Sequence, residues 1–287
     1  MFVTIRLKRL LAVLLICCLA AGLFTVLRTK TVSTFTEDGV EVPILMYHHI
    51  LKDSKRWNKY IIGPGLFEED LRYLSENGYT TITVQDLIDY VYSDKPLPEK
   101  PVMLTFDDGY YNNYLYAYPL LKQYNMKAVI SIIGSQTDLY SESGERNGNY
   151  THVTWDDVNE MLASGLVEIQ NHTYDMHTNK NGRDGTKRRK GESEEAYKDA
   201  LWNDLERLQQ GMKEHTGYVP RAFTYPFGSV SKESYSVIRD LGFLATLSCS
   251  TGTNRITSDP DCLYLLRRYL RPSGKSSEQF FSEIFAK

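Results

Sequence analysis

From residue 41 onward, short apolar stretches alternate with amphipathic ones, and this repeat constrains the fold more than any other feature. "VEVPILMYHHI", "YTTIT", "KPVMLTF", "KAVISIIG", "LVEIQ", "RAFTY" and "FLATLS" read as strands. Between them, "LFEEDLRYLSENG" has leucines at helical spacing (Leu66, Leu71, Leu74) and a stop at Gly78. "TWDDVNEMLASG" reads as a helix with Thr154 as N-cap and Gly165 as stop. "VQDLIDYVY", "YNNYLYAYPLLKQYN", "SEEAYKDALWNDLERLQQGMKEHTG" and "SKESYSVIRDLG" read as further helices. Such alternation means parallel strands with helices packed outside. Six or seven units in roughly 250 residues suit a distorted (β/α)7 barrel better than an open sheet. In either α/β fold, chemistry gathers at the C-terminal ends of the strands.

A different segment comes first. It has a basic start (Arg6, Lys8, Arg9), then an uncharged run from Leu10 to Leu27, before Arg28 and Lys30. At about 1.5 Å per residue that run is just long enough to cross a bilayer core. Leading positive charge keeps the start in the cytoplasm and exports the rest. The expected organisation is a cytoplasmic start and transmembrane signal-anchor over 1–28, a polar stalk over 29–40 and a catalytic domain over 41–287, outside the cell. Small residues at Ala20, Ala21 and Gly22 offer a cleaved signal peptide as the alternative, which would make the protein secreted. Bulky residues before Cys17 and Cys18 argue against a lipoprotein. In an exported chain Cys249 and Cys262 can close a short disulfide loop, two free thiols being the alternative. A hydrophobic content of 42% and charged content of 24% suit a globular domain. The net charge of -3 gives no footprint for nucleic acid.

The residues just past the strands carry the functional signal. Past the first strand stand Tyr47, His48 and His49; past "KPVMLTF" stand Asp107, Asp108, Gly109 and Tyr110. Past "LVEIQ" comes "NHTYDMH", with His172 and His177; past "RAFTY" come Pro226, Phe227 and Gly228. Four of the six histidines fall at these ends; His152 and His215 do not. Asp-Gly is also a common turn dipeptide, so the acids mean little alone. Two imidazoles and a carboxylate leave metal positions open for water and substrate, which is the catalytic pattern. His172 and His177 are five apart, so they share no helix face and point opposite ways on a strand. They can converge only from an irregular loop. Adjacent acids at a strand end point different ways, so one can face a metal and the other the attacking water. A metal lowers the water's pKa, the base completes its deprotonation, and a histidine, His48, is the candidate acid.

With these residues in place the chain resembles the polysaccharide deacetylases of carbohydrate esterase family 4, which share the NodB homology domain. The resemblance covers roughly residue 42 to the C-terminus. T-F-D-D-G is intact at Thr105 to Gly109, and "HTYDMH" corresponds to the second motif. The resemblance implies Asp107 as catalytic base, Asp108, His172 and His177 as metal ligands, and Thr173 supporting its loop by hydrogen bonding. The second histidine comes five residues after the first, where four is commoner. The third motif reads "TYPFG", with Thr224 where the family has an arginine that pairs with the base. No histidine follows His215 to act as a C-terminal acid. All three departures resemble the branch that deacetylates poly-β-1,6-N-acetylglucosamine, whose acid is an early histidine, here His48 with His49 as rival.

These implications give metal-dependent amide hydrolysis, with one divalent ion, zinc expected, although the ligand set also accepts others. A backbone N–H near Tyr110 would help the metal to stabilise the oxyanion. Products would be acetate and a free glucosamine unit. Tyr110, Tyr225, Pro226 and Phe227 are the candidate substrate-binding residues. The basic stretch "TNKNGRDGTKRRKGESEE" reads as a solvated, mobile loop; a flap meeting an anionic wall polymer or the membrane is the alternative. Other enzyme readings are a peptidoglycan or chitin-oligomer deacetylase and a xylan O-acetyl esterase. A non-catalytic glycan-binding protein and a membrane-anchored interaction domain are the non-enzyme readings. No protein partner is legible.

Overall fold

The computed structural model describes residues 39–285. The anchor expected over 1–28, with Cys17 and Cys18, and nearly all of the stalk over 29–40 lie outside the described residues. Among the described residues, no helix is long and apolar enough to cross a membrane.

Twelve strands occur in chain order: β1 Val40–Val42, β2 Ile44–Tyr47, β3 His49–Ile50, β4 Ile61–Ile62, β5 Thr80–Ile82, β6 Pro101–Phe106, β7 Ala128–Ile132, β8 Val167–Asn171, β9 Ala222–Thr224, β10 Ala245–Leu247, β11 Asn254–Ile256 and β12 Tyr269–Leu270. The main sheet runs β10-β9-β8-β7-β6-β2-β12, and every pair is parallel. Leu266, just before β12, bridges in parallel to Leu247 of β10. The sheet therefore curls until its two ends meet, the curled parallel (β/α) arrangement expected. β5 pairs with the first half of β6, off this path.

Alternate residues of the central strands face opposite ways, as strand geometry requires. Val102, Leu104 and Phe106 of β6, with Ala128, Ile130 and Ile132 of β7, join a core with Phe67, Leu71 and Leu74 of the helix Pro64–Glu76 and with Val158 and Met161 of the helix Trp155–Ala163. The opposite face carries Met103 and Val129, and also Thr105 and Ser131. Both faces are buried, so β6 reads as one continuous apolar run rather than an alternating one.

Several local features set the frame. Thr154 and Asp157 form a reciprocal capping box at the start of Trp155–Ala163. The long helix Glu194–Thr216 begins at its Ser193 cap and stops at Gly217, whose φ is +70°. The expected first strand breaks at Pro43: β1 leaves to pair antiparallel with β11, and only β2 joins the sheet. Proline lacks the N–H that a central strand needs. The stretch after Tyr110 opens as a π-turn over Asn113–Ala117 before the helix Tyr118–Tyr124. The two-residue β12 and the C-terminal helix Ser277–Phe285 add to the strands and helices expected. Asp70, fully buried, anchors that last helix by accepting from Arg271, from Ser277 Oγ and from Tyr47 Oη.

Candidate active site

The C-terminal ends of the parallel strands open into a cleft of about 610 Å³. His48 and His49, Asp107, Asp108 and Tyr110, His172 and His177, and Phe227 line it, coming from the ends of β2, β6, β8 and β9. Met46, Asn58, Tyr60, Ile61, Cys249, Thr251 and Leu270 complete the wall.

Asp108 is at the centre. Its φ is +72°, a region that side-chain-bearing residues rarely adopt, and Gly109 follows at +70°. That reversal turns successive carboxylates different ways. Asp108 Oδ1 stands 3.0 Å from His177 Nε2 and 3.3 Å from His172 Nε2. Yet this buried oxygen has no hydrogen-bond partner of acceptable geometry among the described residues. The partner behind the His172 ring explains the conflict. His172 Nδ1 lies 2.8 Å from the carbonyl of Thr224. A carbonyl only accepts, so Nδ1 must donate and the neutral ring presents a lone pair at Nε2. Lone pairs on Nε2 and Oδ1 then face one another across 3.3 Å. A cation between them resolves this, and a carbonyl behind the imidazole is the usual support for a metal ligand. A proton is the substitute: burial opposes the charged ring, but Asp108 and Asp107 together hold His172 above its ordinary range. Burial pushes Asp108 up, while the two imidazoles outweigh it and leave its pKa well below the usual carboxylate range. Asp108, His172 and His177, each offering one atom within 4.8 Å of the others, fit a divalent ion.

Asp107 faces a different partner. Arg268 grips it bidentately, Nη1 to Oδ1 at 2.6 Å and Nη2 to Oδ2 at 2.8 Å. The guanidinium is fully buried; its Nε donates to Ser248 O at 2.8 Å. Burial would raise the pKa of Asp107, but the charges of Arg268 and then His172 bring it below the ordinary value. Thr224 stands where the family arginine was expected; its hydroxyl lies 2.7 Å from that of Ser131. Arg268 fills the arginine's place from 161 positions away in sequence. Its only signal in the sequence is a pair of arginines inside the apolar run "YLLRRYL".

His48 Nε2 is 4.0 Å from Asp107 Oδ2. Its Nδ1 is buried without a hydrogen-bond partner among the described residues, and its ring leans on Tyr60 at 5.0 Å. Burial lowers its pKa, opposed by the charges of Asp107 and Asp108. His49 lies flat on Tyr110, with ring centres 3.5 Å apart. Tyr110 bridges to His152, and the bonds flanking that bridge are made by Tyr111 N–H and Val153 N–H. The Tyr110 N–H is not used in the bridge.

Other expected residues fall differently. Thr173 has φ +76°, strained for a β-branched residue. Its backbone does the supporting: its N–H donates to Asn171 Oδ1 at 2.9 Å and its carbonyl accepts from Gly134 N–H at 3.1 Å. Its buried Oγ1 has no partner among the described residues, so the hydrogen bonds that hold the loop are those of its backbone. Phe227, also at positive φ (+57°), is 48% exposed and packs on His177 at 4.4 Å. Tyr225 and Pro226 are buried and do not line the cleft. Tyr225 points into the core against Phe223, with its hydroxyl on Ser234 at 2.8 Å.

Cys249 and Cys262 are free thiols rather than a disulfide. Cys249 faces the cleft 3.9 Å from Arg268, whereas Cys262 packs on the apolar cluster containing Val84, Leu87 and Tyr90. The basic stretch is pinned, not loose. Arg183, 9% exposed, pairs with Glu192; Arg188 pairs with Glu233; and Thr186 donates to Ser229 O at 3.1 Å.

Paired acids and imidazoles at the ends of parallel strands, one acid poised for a cation and the other held by a guanidinium, define a hydrolase site. The sequence pattern of the family described as polysaccharide deacetylase matches residues 94–246. YxkH of Bacillus subtilis, assigned as a polysaccharide deacetylase, is 30% identical over 87% of this chain and 78% of its own length. The chain belongs to the polysaccharide deacetylase family. The poly-β-1,6-N-acetyl-D-glucosamine N-deacetylase of Escherichia coli is 24% identical over 84% of this chain, which spans only 38% of that relative. Among solved structures, a de-N-acetylase from Aggregatibacter actinomycetemcomitans superposes with a TM-score of 0.71 at 28% identity, covering 83% of this chain and 97% of that one.

Proposed function

We propose that this chain hydrolyses N-acetyl groups from an extracellular polymer of N-acetylglucosamine, poly-β-1,6-N-acetylglucosamine foremost, and releases acetate. The observation that carries the reading is the buried Asp108 oxygen, facing two imidazole nitrogens without a hydrogen bond, beside an Asp107 held by Arg268. The name of the E. coli relative supports the choice of polymer. In this reading residues 41–287 form the catalytic domain, and the N-terminal segment anchors it with the active site outside the cell.

Asp108, His172 and His177 hold the divalent ion, zinc before others. When bound, it supplies the Lewis acidity that activates water and polarises the acetamide carbonyl. Asp107 accepts the proton of the attacking water. Arg268 keeps it ionised and fixes both oxygens, so no reorientation is needed at the moment of transfer. The N–H of Tyr110, which the bridge to His152 leaves unused, donates to the oxygen on which charge develops. His48, 4.0 Å from Asp107 Oδ2, takes up the proton that Asp107 accepted and gives it to the departing amine; burial lowers its pKa, so its imidazolium is the stronger acid. Phe227 and Tyr60 flank the site as apolar faces for sugar rings.

The test is acetate release by the purified protein from poly-β-1,6-N-acetylglucosamine, chitin oligomers, peptidoglycan and acetylated xylan, with Asp107→Asn as control. The reading expects release from the first polymer and at least a 1,000-fold loss in the variant, about 4 kcal/mol of barrier. Release from peptidoglycan alone would keep the chemistry and discard the polymer. Release by the variant at the rate of the natural protein would remove Asp107 as base.

A further inference from the structure

Two adjacent histidines, His48 between β2 and β3 and His49 opening β3, face two adjacent asparagines at the start of the π-turn. The contacts differ in kind. Asn113 Nδ2 donates to the backbone carbonyl of His48 at 2.7 Å and leaves that ring alone. Asn112 acts on the ring of His49. Asn112 is fully buried. Its Oδ1 accepts from Ile50 N–H at 2.9 Å, and its Nδ2 donates to Gly148 O at 3.0 Å. One backbone donor and one backbone acceptor leave the amide a single orientation. The same Nδ2 lies 3.0 Å from His49 Nδ1. That nitrogen must therefore accept, and the ring proton sits on Nε2.

We propose that His49 is a substrate-binding donor, using Nε2–H to bind a neutral oxygen of the glycan, a hydroxyl or an acetamido carbonyl, and that Asn112 is the positioning residue that fixes this tautomer. The ring is also fixed in its plane by Tyr110, stacked at 3.5 Å, with His152 behind at 4.7 Å. Burial pushes the pKa of His49 down to about 4, which agrees with a neutral donor. His48 is the contrast: its Nδ1 has no partner among the described residues, so nothing commits its proton to one nitrogen. One ring is free to exchange a proton and the other is locked to donate. The π-turn places both asparagines at this corner, and single π-turns gather at functional sites.

This inference rests on the deacetylase reading, and the experiment separates the two. Natural full-length protein, His49→Leu, His49→Gln, Asn112→Leu and His49→Leu with Asn112→Leu are loaded with zinc. Acetate release from poly-β-1,6-N-acetylglucosamine oligomers gives kcat and KM, and the ¹⁵N shifts of His49 report its tautomer. The expected result is an Nε2–H tautomer in the natural protein. KM should rise about tenfold in His49→Leu, the loss of one neutral hydrogen bond, with kcat within about twofold. His49→Gln, which keeps a donor, should recover part of it. Asn112→Leu should mix the tautomers and raise KM, and the double variant should add nothing. A fall in kcat at unchanged KM in His49→Leu would make His49 the acid and overturn the proposal. An Nδ1–H tautomer in the natural protein would overturn it even if Asn112→Leu failed to fold. Natural protein that releases no acetate would overturn the deacetylase reading, and with it the ligand assigned to His49.

Discussion

Arg268 and Asp107 form a buried pair whose energetics can be worked out and measured. Arg268 has no exposed surface, and Asp107 is 3% exposed. Two hydrogen bonds of 2.6 and 2.8 Å join them. Removing one member of such a pair strands the other charge in a low-dielectric interior, which costs about 3–5 kcal/mol. In a domain of this size that lowers Tm by roughly 6–20 °C. Arg268→Met should therefore be strongly destabilised, and Asp107→Asn clearly so. The double variant has no orphaned charge, so its loss should fall short of the summed single losses by about 3 kcal/mol. Urea unfolding of the four proteins in one metal-saturated buffer gives this coupling. Activity adds a second arm. Without Arg268, burial is less opposed, the pKa of Asp107 rises, and the acidic limb of kcat/KM should move to higher pH in Arg268→Met. Single losses that add to within about 0.5 kcal/mol, with an unmoved acidic limb, would refute the claim that Arg268 sets the state of the base.

Three further predictions follow from the same geometry. Asp204 accepts from Tyr174 N–H and Asp175 N–H at 2.8 Å each, and burial raises its pKa from 3.8 to about 6. The folded state thus favours its neutral form: the stabilisation is complete below about pH 3.8 and lost as pH rises through about 6, up to about 3 kcal/mol. Asp204→Asn has one acceptor oxygen for these two N–H groups, so it should be about 1–3 kcal/mol less stable than the natural protein near pH 4 and should regain that difference towards pH 7 in urea unfolding; a difference flat with pH would count against this. Gly109→Ala should lower kcat/KM about 100-fold, because at φ +70° its new Cβ would meet Ile132 Cγ2 at 2.8 Å beside Asp108; activity near that of the natural protein would contradict it. Phe227→Ala should raise KM roughly fivefold, whereas Tyr225→Phe should leave KM unchanged and cost about 1 kcal/mol through Ser234; the reverse pattern would restore Tyr225 to the substrate surface.

What could be read from the sequence was whatever local chain chemistry decides. An apolar run ending in charged side chains locates a strand end, and parallel strands gather their ends in one place. That brought Asp108, His172 and His177 into view from separate segments. Arg268 was hidden because its partner is far away in sequence and β12 is only two residues long, too short for alternation to register. Tyr225 misled because a strand-end position does not say which face the side chain takes. The stretch from 178 to 195 misled for another reason. Arg183 and Glu192, or Arg188 and Glu233, have the same composition whether solvated or paired with one another. Thr173 shows a limit of motif reasoning: the residue is in place, but its backbone makes the hydrogen bonds.

The most direct test of the account is to strip the protein with a chelator, titrate zinc back, and follow acetate release from poly-β-1,6-N-acetylglucosamine at each addition. The account predicts no release from the stripped protein, and a rise that breaks at one zinc per chain. Release that survives chelation, or a chain that binds no zinc at that stoichiometry, would contradict it.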